Sequence, residues 1–252
     1  MANDGGEQAR SAASDDAADV EGDALRSDHL AAMRELSRRA RPVFETTPRF
    51  SPDGAWLVYV SNVGGPRAVY VDALDGSPPR LVASAPQRMR RPFVAPDGEH
   101  LVYTADEGGD EAYAIFRMHL ETGAIEAMTP GEKLRRDGPC FTDDASRFFF
   151  TARRHDETGA KLYEQANEPG AEPRLVFDDP ALRFAGLRGD GARVLLLEAT
   201  LGRELFVLDL PARQPPRRVY PPAGSDARVM SVAFSNAQPG AALVATDDGG
   251  EG

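Results

Sequence analysis

An aspartate-bearing turn followed by a short apolar run recurs along this sequence at a nearly fixed interval. That interval limits the fold more than any other feature of the chain. The turn aspartates are Asp53, Asp97, Asp144 and Asp190, spaced 44, 47 and 46 residues apart. Four residues after each stands an apolar residue: Leu57, Leu101, Phe148 and Val194. The next two positions are Val58-Tyr59, Val102-Tyr103, Phe149-Phe150 and Leu195-Leu196, and an apolar residue lies three positions before each aspartate (Phe50, Val94, Phe141, Leu187). Self-similarity of this kind points to one supersecondary unit used repeatedly.

Further strand candidates follow each turn at consistent offsets. "AVYVDALDG" (68–76), "AIFRMHLETG" (114–123), "KLYEQANEPG" (161–170) and "ELFVLDLPA" (204–212) read as a third strand, most of them closing in turn residues. "PRLVA" (79–83), "IEAMT" (125–129), "PRLVF" (173–177) and "PRRVY" (216–220) read as a short outer strand. With the stretch before the turn, each unit has four strands in about 46 residues, the length and strand count of a β-propeller blade. One four-stranded sheet cannot cover both of its apolar faces, so neighbours must stack around an axis. Agreement at four strand positions through four units disfavours an ordinary antiparallel sandwich. The prediction is an all-β propeller with blades at about 43–84, 85–130, 135–178 and 182–222, and a partial fifth at 228–246. The fifth unit lacks third and fourth strands before the sequence ends in "DDGGEG", which reads as a fragment of a longer protein.

The N-terminal segment differs in kind. Residues 1–22 lack aromatics and have almost no large aliphatics, too little apolar surface to offset the entropy of ordering, so disorder is expected. Between 23 and 42, Leu25, His29, Met33, Leu36 and Ala40 recur at helical spacing and Pro42 ends the run, which predicts one short amphipathic helix. Of the net charge of −11, residues 1–28 hold −6, from eight acids and two bases. An acidic chain of this balance argues against nucleic-acid or anionic-membrane partners. No apolar run reaches the roughly 18 residues of a membrane span, and the polar, acidic N-terminus is unlike a secretory signal. The expected location is cytoplasmic. Cys140 is the sole cysteine, which excludes an internal disulfide or a cysteine metal cluster; its setting, "GPCFTDD", suits a small buried residue.

The longer segment "YTADEGGDEAYAIFRMHLETGAIEAMTPGE" (103–132), with "FTDDASRFFFTARRHDETGAKLYE" (141–164) and "GDGARVLLLEATLGRELFVLDL" (189–210), resembles the N-terminal propeller of the S9 (prolyl oligopeptidase) family of serine peptidases. The shorter "SPDG…LVYVS…VYVDALDG…PRLV" pattern is shared with TolB-type propellers. The resemblance covers about residues 43–246 and rests on blade motifs, not catalytic ones. It implies a two-domain enzyme in which the propeller covers an α/β-hydrolase domain carrying a Ser-Asp-His triad and filters peptides by size. The partners it implies are short peptides and that hydrolase domain in cis. A TolB-like scaffold that binds other proteins is the alternative.

Catalysis on a hydrolase fold needs a serine in a G-x-S-x-G elbow, which places the nucleophile on a tight turn beside oxyanion donors. No serine of the 252 residues has glycine at both −2 and +2. The chain as given therefore has no predicted catalytic residue, and no cofactor or metal is implied. His29, His100, His119 and His155 show no H-x-x-x-H or H-E-x-x-H pairing. Two loops stand out as candidate substrate contacts. In Asp106-Glu107-Gly108-Gly109-Asp110-Glu111, the carboxylates of Glu107, Asp110 and Glu111 suit a peptide's α-amino group through charge-assisted hydrogen bonds. The aspartate order of a calcium loop is absent there. In "ARRHDETG" (152–159), Arg153 and Arg154 suit a carboxylate or a carbonyl. Solvated hairpin tips are the plainer reading of both.

Overall fold

Each repeated turn closes on its own aspartate. In the computed structural model, which describes residues 48–247 apart from 63–65, 86–88, 107–108, 213, 223–224, 226, 236–237 and 239, the four aspartates act alike. Asp53 Oδ1 accepts the amide of Ala55 at 3.1 Å, Asp97 Oδ1 that of Glu99 at 2.8 Å, Asp144 Oδ1 that of Ser146 at 3.1 Å and Asp190 Oδ1 that of Ala192 at 2.9 Å. A short side chain that accepts from the backbone two residues on is what fits aspartate to this place. The next position is left-handed in every unit: φ is 72° at Gly54, 72° at Gly98, 71° at Gly191, and 55° at Ala145. Glycine takes that conformation freely; the third unit makes it with alanine.

Four sheets of four antiparallel strands follow. The first contains β1 (Arg49–Phe50), β2 (Leu57–Ser61), β3 (Ala68–Asp72) and β4 (Arg80–Ser84) in that order. The second is β5 (Arg90–Val94), β6 (His100–Ala105), β7 (Ala114–His119) and β8 (Ile125–Ala127). The third is β9 (Arg135–Phe141), β10 (Arg147–Arg153), β11 (Lys161–Ala166) and β12 (Arg174–Phe177), and the fourth β13 (Leu182–Leu187), β14 (Arg193–Glu198), β15 (Leu205–Asp209) and β16 (Arg217–Tyr220). β17 (Val229–Phe234) and β18 (Ala242–Thr246) form a two-stranded sheet. The tail and helix expected over 1–42 lie outside the described residues, as does Glu107.

The second strand of each unit is buried on both faces, which is why it reads as a continuous apolar run rather than an alternation. Val58 and Val60 pack forward onto Leu101, Tyr103 and Met118 of the next unit. Val102 and Ile115 pack onto Phe148 and Phe150. Phe149 and Leu162 meet Val194, Leu196 and Leu208, and Leu195, Leu197 and Leu205 meet Val229. Even and odd positions of one strand thus serve different neighbours. Each such side chain stabilises the stack by roughly 1.5–3 kcal/mol. Between second and third strands an aromatic pair recurs in register: Tyr59 with Tyr70, Tyr103 with Phe116 and Phe150 with Tyr163, with ring centroids 5.7, 5.7 and 5.6 Å apart and nearly parallel. Leu196 and Phe206 hold the place in the fourth unit. Across β17 and β18 the face turned from the fourth unit leaves Met230 and Leu243 exposed.

The first strands β1, β5, β9, β13 and β17 each have a single partner in their sheet. They contact one another from unit to unit (β1 with β5, β9 with β13, β13 with β17) and so form the inner wall of the stack.

Candidate functional site

Three connections rise at the end of the inner wall where the first strands begin: the loop between β6 and β7, the crossover from β8 to β9, and the loop between β10 and β11. The structure brings Asp110, Glu111, Arg153 and Arg154 onto this one rim, with the crossover between them. Lys133 Nζ lies 2.6 Å from Asp110 Oδ2, Arg135 Nη1 3.5 Å from Glu111 Oε2, and Arg154 Nη2 2.9 Å from Glu132 Oε1. Arg153 Nη1 donates to the carbonyl of Glu157 at 2.6 Å, and the Arg154 amide donates to Glu157 Oε2 at 2.9 Å. Lys161 reaches Glu157 at 3.3 Å and Asp178 at 3.6 Å, extending the chain of charges toward the fourth unit.

Local chemistry fixes these positions. Glu111 sits at φ 57°, with its amide donating to the buried Asp106 at 3.3 Å, while the amide of Ala112 donates to Asp110 at 3.0 Å. Arg136, 6% exposed, donates to the carbonyls of Glu132 (3.0 Å) and Leu134 (3.4 Å) and so ties the crossover to β9. Burial pushes its guanidinium pKa down, against the attraction of Glu132. The hydrogen bond from Lys133 holds Asp110 below the ordinary carboxylate value, helped by the Ala112 amide. The Arg154 amide does the same for Glu157. Each predicted charge among the described residues thus has a partner in the chain. A ligand's amino group must exchange with Lys133 or Arg135, an exchange of exposed pairs that costs about 0–1 kcal/mol each.

The opposite end of the inner wall holds a cleft of about 720 Å3 where the turns of the third and fourth units and β17 converge. Phe141, Leu187 and Phe234 line it beside Asp143, Arg188 and Asp190. Arg188 Nε donates to Asp190 Oδ1 at 2.8 Å, and the Asp143 amide donates to the Gly189 carbonyl at 2.7 Å. Sequence spacing gave no sign of this convergence, because its members come from three units. It also missed His100 and His119, which face each other across β6 and β7 with ring centroids 5.2 Å apart. His100 Nδ1 lies 2.9 Å from Asp97 Oδ2, and His119 Nδ1 accepts the amides of Glu121 and Thr122 at 3.2 and 3.3 Å. Both rings have their Nδ1 engaged, and no group of three or more metal-ligating side chains occurs among the described residues. Cys140 is half-buried, and burial of its thiol pushes the pKa up to about 11, with Asp137 adding to the shift. A thiol held protonated in this way is a poor nucleophile.

This geometry is one of stacked four-stranded sheets around an inner wall. It overlays on TolB from Acinetobacter baumannii at TM-score 0.54 and 21% identity, over 70% of this chain and 43% of that one. The chain is a β-propeller. The same blades overlay on a prolyl endopeptidase at TM-score 0.60 and 14% identity, over 81% of this chain and 32% of that one. They overlay on the Pyrococcus horikoshii acylaminoacyl peptidase at TM-score 0.57 and 13% identity, over 81% and 37%. The propeller therefore spans less than half the length of each of these proteins. No family model matches the sequence, and no curated protein matches it. No helix among the described residues is long and apolar enough to cross a membrane.

Proposed function

We propose that this propeller is the peptide-admitting, non-catalytic portion of an S9-type serine peptidase, acting with an α/β-hydrolase domain that carries the triad. The observation that carries this reading is where the family-like segment ends up. The loop at 106–113 and the one at 153–160, both within stretches that resemble S9 blades, come together on one rim of the inner wall around Lys133 and Arg135. Alternating exposed charges there suit the termini and carbonyls of a short extended peptide, with no group of their own for bond cleavage. Overlay of 81% of the chain on two peptidase propellers supports the reading.

A second reading, a TolB-like scaffold for folded partners, is supported by the overlay on TolB. The two differ in what they bind. Fluorescence anisotropy with labelled octapeptides should give saturable binding under the peptidase reading. The chain alone should not turn over chromogenic dipeptide or acyl-amino-acid substrates. Turnover that a fluorophosphonate abolishes would overturn the non-catalytic assignment. Absence of peptide binding, with a folded partner captured at a molar ratio near one, would replace it with the scaffold.

A further inference from the structure

The inner wall is far more basic than the protein it belongs to. Across the five first strands stand six arginines (Arg49 on β1, Arg90 and Arg91 on β5, Arg135 and Arg136 on β9, Arg183 on β13) and one acid, Asp137. The whole chain has a net charge of −11. Arg49, Arg91 and Arg183 are exposed on this wall, and Arg228, one residue before β17, is exposed beside it. A β-bulge sets the position of Arg91. On β5, Arg90 pairs with Thr104 and Phe93 with Val102, so β5 takes one residue more than β6 over this interval. Arg91 occupies the bulge at φ 46°, and a bulge re-aims the side chain of its extra residue. Its guanidinium reaches Asp137 of β9 at 2.8 Å, spanning two blades, with 61% of the side chain still exposed. Arg49 Nε donates to the carbonyl of Pro92 on β5 at 3.1 Å, again from blade to blade. Arg183 has no ion-pair partner among the described residues.

We infer that this arginine-lined wall selects acidic peptide segments, carboxylate side chains displacing the exposed Arg91–Asp137 pair and engaging Arg183 and Arg228. The inference rests on the peptide-admitting reading above and names its substrate class. Guanidinium groups stay charged at every physiological pH and hold carboxylates in a two-pronged geometry. The neutralised rim of Asp110, Glu111, Lys133 and Arg135 adds little net charge at the entrance.

The test uses the full chain and labelled octapeptides rich in glutamate, in neutral residues or in lysine, by anisotropy at low and high salt. At low salt the acidic peptide should bind about tenfold tighter than the neutral one, equivalent to about 1.4 kcal/mol, and the preference should fade as salt rises. The double variant Arg91→Gln/Arg183→Gln should lose most of the preference. Arg218→Gln with Arg217→Gln, an equal charge change on the outer strand β16, should leave it within about twofold. The protein's overall charge works in the opposite sense, favouring the lysine peptide. Equal binding of acidic and neutral peptides, or tighter binding of the lysine peptide, overturns the inference while leaving peptide admission in place. No binding of any peptide overturns both. An acidic oligosaccharide of equal charge binding more tightly than the glutamate peptide overturns the assignment to peptides.

Discussion

Gly54 and Gly123 share a backbone conformation and differ in surroundings, so replacing each by alanine separates a local cost from one that spans blades. Both sit at φ 72°, where a Cβ costs about 1 kcal/mol relative to glycine. At Gly54 a Cβ meets nothing within 4 Å. At Gly123, in the turn from β7 to β8, it lies 2.9 Å from the carbonyl oxygen of Val82 and 3.2 Å from the Cβ of Ala83, both on β4 of the preceding blade. Neither obstacle is the end of a flexible side chain, so the blades must separate, and overpacking of this kind costs a further ~1–3 kcal/mol. Gly54→Ala should therefore destabilise by about 1 kcal/mol and Gly123→Ala by about 3 kcal/mol. The sole tryptophan, Trp56, packs against the core between the first two blades and reports their separation by fluorescence during urea unfolding. Thermal melts by circular dichroism should show losses of about 2–4 °C per kcal/mol for a chain of this size. Ala145→Gly, which relieves the one alanine among the four turn positions, should raise stability by about 0.5 kcal/mol after the chain-entropy cost of glycine. Equal destabilisation by Gly54→Ala and Gly123→Ala would refute the close contact of the first two blades at this turn. A loss at Ala145→Gly would refute the left-handed turn in the third.

Two further perturbations probe single side chains. Asp144 is held at a pKa of about 2, below its ordinary 3.8, chiefly by the hydroxyl of Thr142 and then by the amide and hydroxyl of Ser146. A depressed carboxyl stabilises the fold above its unfolded value and loses that contribution as pH falls through the folded one. Stability should therefore decline between about pH 4 and 2, and Asp144→Asn should flatten that part of the profile in urea titrations followed against pH. Glu164, buried at 7% exposure, takes Arg147 and Arg174 on its two carboxylate oxygens, and Arg147 also donates to the Asp190 carbonyl of the next blade at 3.3 Å. Glu164→Ala should cost about 2–3 kcal/mol, less than a fully buried pair because both arginines remain partly exposed. Glu164→Gln should recover part of that in the same urea assay, and no loss for either variant would show that the two arginines are not held.

Much of this architecture is legible in the sequence because its physics is local or strictly periodic. The aspartate turn acts within two residues, so it recurs as a visible motif. The second strands, buried on both faces by neighbouring blades, show the repeat as runs such as Leu57 to Val60 and Phe148 to Phe150. The aromatic pairs from Tyr59–Tyr70 to Phe150–Tyr163 follow once strand order is known. The rim is different. Asp110 with Lys133 and Arg154 with Glu132 are 23 and 22 residues apart, and their pairing depends on how two hairpin loops lean over a crossover. Sequence singled out Asp110, Glu111, Arg153 and Arg154 as charged loop tips, but only the folded loops supply the counter-charges.

The arginine wall shows most clearly where the sequence stops. Arg49 lies four residues before its turn aspartate, Arg91 six, Arg183 seven, and Arg136 and Arg135 eight and nine. A bulge recurs on each of β5, β9, β13 and β17, yet apart from Arg90 and Arg183, both seven residues before their aspartates, the arginines of the wall occupy no common place in the repeat. The sequence by itself determined the blade, its turn and its two buried faces, because those are set by spacing along one strand. Tertiary structure alone decided which charges share a surface. That choice is made by the stacking of separate blades, which brings different positions of different repeats together and leaves no fixed period in the chain.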